Sequence, residues 1–281
     1  MKELLQSELQ FNSDSAAHIQ QVSPTCPKPI VSRCNLWNGD CLELMSQIPA
    51  ASIDMIFADL PYGTTACDWD IKIPLDALWH HWNRIIKDSA AVILTGQQPF
   101  TTDIINSNRK HFRYEIIWEK TMKLGFFNAN KMPLRGHENI IVFYKKLPTY
   151  NPQKTYNPSQ ATGRVREKKA ARYKAYSPTN AQDYVETGWK YPHSVIRISN
   201  WNGALFGNNS KATKHPTQKP VELLDWLIKT YTNEGDTVLD CVMGSGTTGV
   251  SCKKNNRHFI GIEKEKSFYD VAVSRVSSCS G

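Results

Sequence analysis

Thr237-Val-Leu-Asp240-Cys-Val-Met-Gly244-Ser245-Gly246-Thr247-Thr-Gly249 is the stretch on which the reading of this chain turns. Thr237 to Asp240 reads as a short buried strand, a glycine loop follows, and a helix is expected near Thr248 to Lys254. A second strand is expected at Phe259 to Ile262. The loop satisfies G-x-G-x-x-G between a strand and a helix. Glu263 closes the second strand, at the distance where an acid meets a ribose hydroxyl. Missing side chains let a ligand approach the backbone, and the helix N-terminus favours a negative group. A dinucleotide pyrophosphate fits that description, and so does the carboxylate of S-adenosylmethionine. A tight packing turn is the third reading, and the motif alone does not choose.

Position in the chain narrows the choice. Only a short helix is expected between Glu263 and Gly281, so the rest of the sheet must come from earlier residues. In the common dinucleotide arrangement the glycine loop comes first; here it comes last. Earlier strands are expected at Ile53–Ala58, Ala91–Thr95, Glu115–Trp118 and Ile140–Tyr144. A helix is expected over Leu75–Lys87, where Leu78, Trp82 and Ile85 or Ile86 recur at helical spacing. Another is expected over Val221–Tyr231, with Pro220 at its start. Strands alternating with helices imply an α/β fold with a mostly parallel sheet covered on both faces.

A second motif, Asp59-Leu60-Pro61-Tyr62-Gly63, directly follows the strand Ile53–Ala58. Ends of parallel strands are where α/β proteins place ligands. A carboxylate, a rigid proline and an aromatic on one turn suit work on an aromatic amine. Such a nitrogen is a poor nucleophile because its lone pair is delocalised into the ring. The Asp59 carboxylate and the Leu60 carbonyl would hold its two hydrogens, and Tyr62 would stack on the base. A plain strand-ending turn capped by Asp59 is the alternative.

Charge points to the partner. The chain of 281 residues carries a net +8, with 40% hydrophobic and 21% charged residues, which fits one large α/β domain with an inserted module. Lys145, Lys146, Lys154, Arg164, Arg166, Lys168, Lys169, Arg172 and Lys174 crowd one region, interleaved with Tyr150, Tyr156, Tyr173 and Tyr176. With Glu167 as the only acid among them, they are expected to contact nucleic acid. The alternative is a solvated loop. Residues 1–30 read as a flexible arm without a signal sequence, and no apolar run is long enough for a membrane span. Cys26, Cys34, Cys41, Cys67, Cys241, Cys252 and Cys279 form no C-x-x-C pair. No disulfide framework or metal site is therefore expected, and the cytoplasm is the natural compartment. His80-His81 lies in a predicted helix without further ligands.

Both motifs and their order resemble the beta class of DNA amino-methyltransferases, which modify N6 of adenine or N4 of cytosine. Asn38-Gly39-Asp40-Cys41-Leu42 looks like its adenine-contacting segment, and Asp59 to Tyr62 looks like its Asp-Pro-Pro-Tyr motif. His137 to Tyr144 is similar to a later strand of the catalytic half, while His215–Pro220 and Asp240–Gly246 resemble its cofactor motifs. The resemblance implies a Rossmann-like methyltransferase fold with circularly permuted motif order and S-adenosyl-L-methionine as cofactor. The catalytic half would span 31–146, an inserted target-recognition region 147–212 and the cofactor-binding half 213–281. Asp59, Leu60, Pro61 and Tyr62 would be catalytic. Asp40, Asp59, Thr217, Lys219, Asp240, Gly244, Ser245, Gly246, Thr247 and Glu263 would bind the cofactor. Double-stranded DNA is the implied partner, with base flipping, a role in restriction-modification and dimerisation as found in the class. One departure is Leu60, where the class has proline; the backbone carbonyl is retained but the turn loses rigidity. Aspartate rather than serine at position 59 resembles the adenine-modifying members. Cytosine N4, RNA, a nicotinamide-dependent oxidoreduction and binding without catalysis stand as alternatives.

Overall fold

The computed structural model describes residues 34–63, 71–166, 184–200 and 218–279. The expected N-terminal arm, Thr217, Lys168, Lys169, Arg172 and Lys174 lie outside the described residues.

The chain opens with β1 (Cys34–Asn38), α1 (Cys41–Leu44), β2 (Ile53–Ala58), α2 (Leu75–Ile85), β3 (Ile86–Gly96) and α3 (Phe100–Ser107). A long hairpin follows, β4 (Phe112–Leu124) and β5 (Arg135–Phe143). Four two-residue strands come next: β6 (Thr155–Tyr156), β7 (Val165–Arg166), β8 (Tyr184–Val185) and β9 (Trp189–Lys190). The chain then returns through β10 (Val195–Ile198), α4 (Val221–Tyr231), β11 (Thr237–Asp240), α5 (Thr247–Lys254), β12 (His258–Glu263) and α6 (Lys266–Ser278).

One eight-stranded sheet runs in the order β1-β12-β11-β2-β3-β5-β4-β10. Every neighbouring pair is parallel except the two made by β5. The reason is local. Only residues 125–134, with a single 3-10 turn, separate β4 from β5, too few for a crossover helix, so the chain must fold back as a hairpin.

Continuous apolar runs arise because both faces are covered. Ile56 and Ala58 of β2 pack with Leu78, Trp82 and Phe100 on one face. Met55 and Phe57 pack with Leu224, Leu227 and Ile228 on the other. Each such side chain withdrawn from water contributes roughly 1.5–3 kcal/mol. Leu78, Trp79, Trp82 and Ile85 line the buried face of α2. That helix ends before the expected Lys87, because Ile86 already pairs with Ile53 across the sheet.

Two expectations change in extent. The last helix is longer than expected: α6 covers Lys266–Ser278, its Ala272 and Val276 closing over α5. β10 falls inside the expected insertion 147–212, yet it pairs with β4 from Val195↔Ile117 to Ile198↔Lys120. β10 is thus part of the central sheet. Among the described residues no helix is long and apolar enough to cross a membrane.

Candidate active site

The carboxyl ends of β1, β12, β11 and β2 lie side by side, and they present Asp40, Glu263, Asp240 and Asp59. After β11 the chain moves to β12 on one side; after β2 it moves to β3 on the other. The crevice between β11 and β2 is therefore the point where connections diverge, the favoured ligand position of open α/β sheets.

On the β11–β12 side the glycine loop is tightly held. Gly244 and Gly246 have φ of 52° and 77°, a region that favours glycine. A Cβ on Gly246 would come within 2.8 Å of the Ala272 Cβ. The Gly244 N–H donates to Glu263 Oε2 at 2.8 Å, and the Glu265 N–H donates to Oε1 at 2.8 Å. Arg275 of α6 donates to the Ser245 carbonyl at 2.6 Å and to Thr247 Oγ1 at 3.2 Å. Ser245 Oγ donates to Gln218 Oε1 at 3.0 Å. Asp240 accepts from the Val242 N–H at 3.1 Å and from Thr248 Oγ1 at 2.5 Å.

Burial pushes the Asp240 carboxyl up to about 7, and burial also raises Glu263. Among the described residues neither has a Lys or Arg partner. This arrangement fits S-adenosylmethionine, whose ammonium and sulfonium bring positive charge against buried carboxylates. It does not fit a pyrophosphate, which would add negative charge beside Asp240, Glu263 and Asp59. The carboxylate of the cofactor's amino-acid portion suits the start of α5.

Asp40 stands at the rim. Its Oδ1 accepts from the Leu42 N–H at 2.9 Å as the cap of α1, and Lys264 approaches Oδ2 at 3.3 Å. Asn38 Nδ2 and the Gly39 N–H both donate to the Glu263 carbonyl, at 2.8 Å and 3.0 Å. The segment Asn38–Asp40 is thereby pinned to the end of β12.

Asp59 has the opposite electrostatic setting. Burial by itself would raise its carboxyl. The Lys219 ammonium at 2.5 Å from Oδ2, with hydrogen bonds from Thr95 Oγ1 (2.5 Å) and Tyr62 Oη (3.0 Å) to Oδ1, holds it below the ordinary carboxylate range. The same burial and the Asp59 charge raise the Tyr62 phenol well above normal, so it is a neutral donor. Tyr62 lies 5.1 Å from the Phe100 ring, which fixes one of its faces. Leu60 points its side chain into the core, 3% exposed. That apolar anchor replaces some of the rigidity a proline would bring.

Behind Asp59 runs an alternating charge row. Lys219 is 3.4 Å from Glu138 Oε2, and Glu138 Oε1 accepts from Lys120 at 2.5 Å. The Lys120 and Glu138 side chains are 6% and 9% exposed. Such a buried set holds only when complete, since removing one partner costs about 3–5 kcal/mol. The sequence motifs do not single out Thr95, Glu138, Lys120, Gln218 or Arg275. Thr95 sits at a parallel strand end beside Asp59, a placement the strand-end rule makes visible. Nothing in the local pattern marks Arg275 or Lys120.

Lys219, expected to bind the cofactor, pairs with the Asp59 carboxylate. The basic residues divide. Lys146 pairs with Asp88 at 2.7 Å, and Lys145 donates to the Asn83 carbonyl at 3.2 Å. Both lie at the amino edge of β3, because antiparallel β5 carries the chain away from the site. From Asp88 to Thr95 the strand spans roughly 23 Å. Lys154 stacks over Tyr191 at 4.4 Å, Arg164 adjoins Glu186 through the backbone, and Arg166 pairs with Glu186 at 2.7 Å. The structure does not bring these five residues to Asp59.

An aromatic cleft of about 400 Å³ lined by Tyr114, Tyr144, Tyr150, Trp226 and Tyr231 likewise lies at the amino edge, away from both carboxylate sets. Among the described residues no cluster suited to a metal ion occurs.

The chain belongs to the DNA methylase family of N6 and N4 amino-methyltransferases, which it matches over residues 53–274. It is a DNA methyltransferase. Type II methyltransferase M1.MboII of Moraxella bovis is 26% identical, over 83% of this chain and 92% of that protein. Type II methyltransferase M2.MboI of the same organism is also 26% identical, over 86% of each chain. Among solved structures, the M1.HpyAVI–SAM complex superimposes with a TM-score of 0.56 at 21% identity, covering 86% of this chain and 98% of that one. The cytosine-N4-specific PvuII DNA methyltransferase superimposes with a TM-score of 0.61 at 15% identity, covering 87% and 86%. Those likenesses show the fold, a Rossmann-like methyltransferase sheet with its cofactor loop late in the chain.

Proposed function

We propose that this enzyme methylates N6 of adenine in a short sequence of double-stranded DNA, after the base has left the helix stack. The observation that carries the reading is Asp59: a carboxylate held ionised at the crevice between β11 and β2. S-adenosylmethionine supplies an electrophilic methyl group on its sulfonium.

A carboxylate offers about four lone-pair positions. Lys219, Thr95 and Tyr62 occupy three on Asp59, which leaves one for a hydrogen of the target amine. The Leu60 carbonyl takes the second hydrogen. With both hydrogens held, the nitrogen lone pair is turned out of conjugation and toward the methyl group. On taking the methyl group that S-adenosylmethionine would supply, the nitrogen would shed one proton. Asp59, with its lowered pKa, aligns the amine but does not keep that proton at neutral pH; it passes to solvent. Tyr62, backed by Phe100, offers its remaining face to the base.

Single-molecule sequencing of DNA from a methylation-deficient host expressing this chain tests the reading. N6-methyladenine at one recurrent short sequence is expected. N4-methylcytosine would overturn the base assignment. Unmodified DNA together with S-adenosylmethionine binding by the purified protein would move the search to RNA.

A further inference from the structure

We infer that the β4–β5 loop, residues 125–134, is a wedge that enters the base stack of duplex DNA, with Phe127 as the inserted side chain. The inference rests on the reading of the chain as acting on double-stranded DNA.

The loop presents apolar bulk to water. Phe127 is 104% exposed, Phe126 67% and Met132 56%. Monomers seldom leave a group of large apolar side chains uncovered without a use for it. The tip is also built rather than slack. Gly125, at φ 93°, turns the chain into a short 3-10 helix over Phe126–Asn128. The Asn128 and Met132 N–H groups donate back to the Gly125 and Asn128 carbonyls at 2.9 Å and 3.0 Å. The base of the hairpin is clamped by Asn200, whose side chain accepts from the Met122 N–H at 2.8 Å and donates to its carbonyl at 3.1 Å. A rigid turn that thrusts Phe127 outward is preorganised for insertion.

Charge selects the occupant. From Lys120 to His137 there is no acidic residue, while Lys120, Lys123, Lys131 and Arg135 are all cationic. Lys131 and Arg135 are exposed beside the tip. Phosphates on either side of an apolar plug give the pattern of side chains that part base steps.

Position supplies the purpose. The loop extends from the same edge of the sheet as Asp59. A chain of contacts joins the two: Arg135 to Gln97 at 3.3 Å, Gln97 to Glu138 at 3.2 Å, Glu138 to Lys219, and Lys219 to Asp59. A base drawn into the Asp59 pocket leaves a gap in the stack, and an aromatic ring a short way off can fill it. The insertion would offset the cost of unstacking the target base.

The experiment uses the full-length protein and two duplexes carrying the modified site found by sequencing, one fully paired and one with an abasic position opposite the target. Phe127→Ala is expected to lower kcat about tenfold or more on the paired duplex. On the abasic duplex, where the base is already loosened, it should recover to within about threefold of wild type. Phe127→Trp should act as wild type on both. Because Phe127 is fully exposed, an unchanged melting temperature is expected and is checked alongside. Equal loss on both duplexes, or no loss on either, overturns the wedge. So does loss of self-association with methylation intact, which would make the tip a contact between copies. Wild-type protein inactive on both duplexes removes the duplex-DNA reading itself, a result separate from failure of the wedge.

Discussion

Asp59 and Asp240 end adjacent parallel strands, and both are withdrawn from water, yet their carboxyls shift in opposite directions. Lys219, Thr95 and Tyr62 hold Asp59 below the ordinary range. Asp240 has only the Val242 N–H and Thr248 hydroxyl, and burial carries it to about 7. On the proposed mechanism the difference separates two jobs. A carboxylate that must orient a neutral amine needs its charge secured by the protein. One that faces a cationic cofactor can leave its charge to be balanced by the ligand.

Breaking the secured side has the largest expected effect. Asp59→Ala should lower kcat by about 10³-fold or more, while S-adenosylmethionine binding by calorimetry stays within a few-fold. Loss of binding with equal loss of activity would mean that Asp59 serves the cofactor.

Lys219→Met tests what secures it. With the ammonium gone, burial and the neighbouring Glu138 and Asp240 carboxylates are opposed only by the Thr95 and Tyr62 hydrogen bonds, and the Asp59 pKa rises. The acid limb of the kcat–pH profile should therefore move to higher pH, with a loss of about 10²-fold near pH 6 and less in alkali. An unshifted limb would mean that Lys219 serves only packing or the cofactor.

Asp240→Asn probes the unsecured side. A carboxyl raised from its ordinary value to about 7 binds more protons in the folded state than in the unfolded one. Wild-type stability without cofactor should fall as pH rises between about 4 and 7. The variant should lack this slope, gaining at most ~4 kcal/mol relative to wild type above pH 7 while losing about tenfold in cofactor affinity. Parallel unfolding curves at pH 5 and pH 8 would contradict the raised pKa.

The smallest effect is expected at the opposite edge of the sheet. Lys145→Ala with Lys146→Ala should change methylation of a short duplex by less than about twofold, because both lie some 23 Å along β3 from Thr95. A large rise in KM would place DNA across that edge as well.

Much of the architecture was legible in local pattern. The strand–loop–helix–strand unit from Thr237 to Glu263 is observed within one residue of its expected bounds. Buried parallel strands write themselves as unbroken apolar runs, and a glycine loop between strand and helix has few other uses. Less legible were features set by pairing over distance. The place of β10 in the sheet depends on register with β4, far earlier in the chain, and the four residues Val195-Ile-Arg-Ile198, interrupted by a charge, do not announce it. Charge spacing cannot say that β5 runs antiparallel and delivers Lys145 and Lys146 to the far edge.

Order along the chain was enough for the Asp59–Tyr62 turn, the glycine loop and their inverted sequence, because each is a short run whose backbone and residue chemistry are local. The row Lys120–Glu138–Lys219–Asp59 came only with folding. Its members belong to four separate segments, and their charges acquire meaning only when the sheet closes and removes the water that would otherwise screen them.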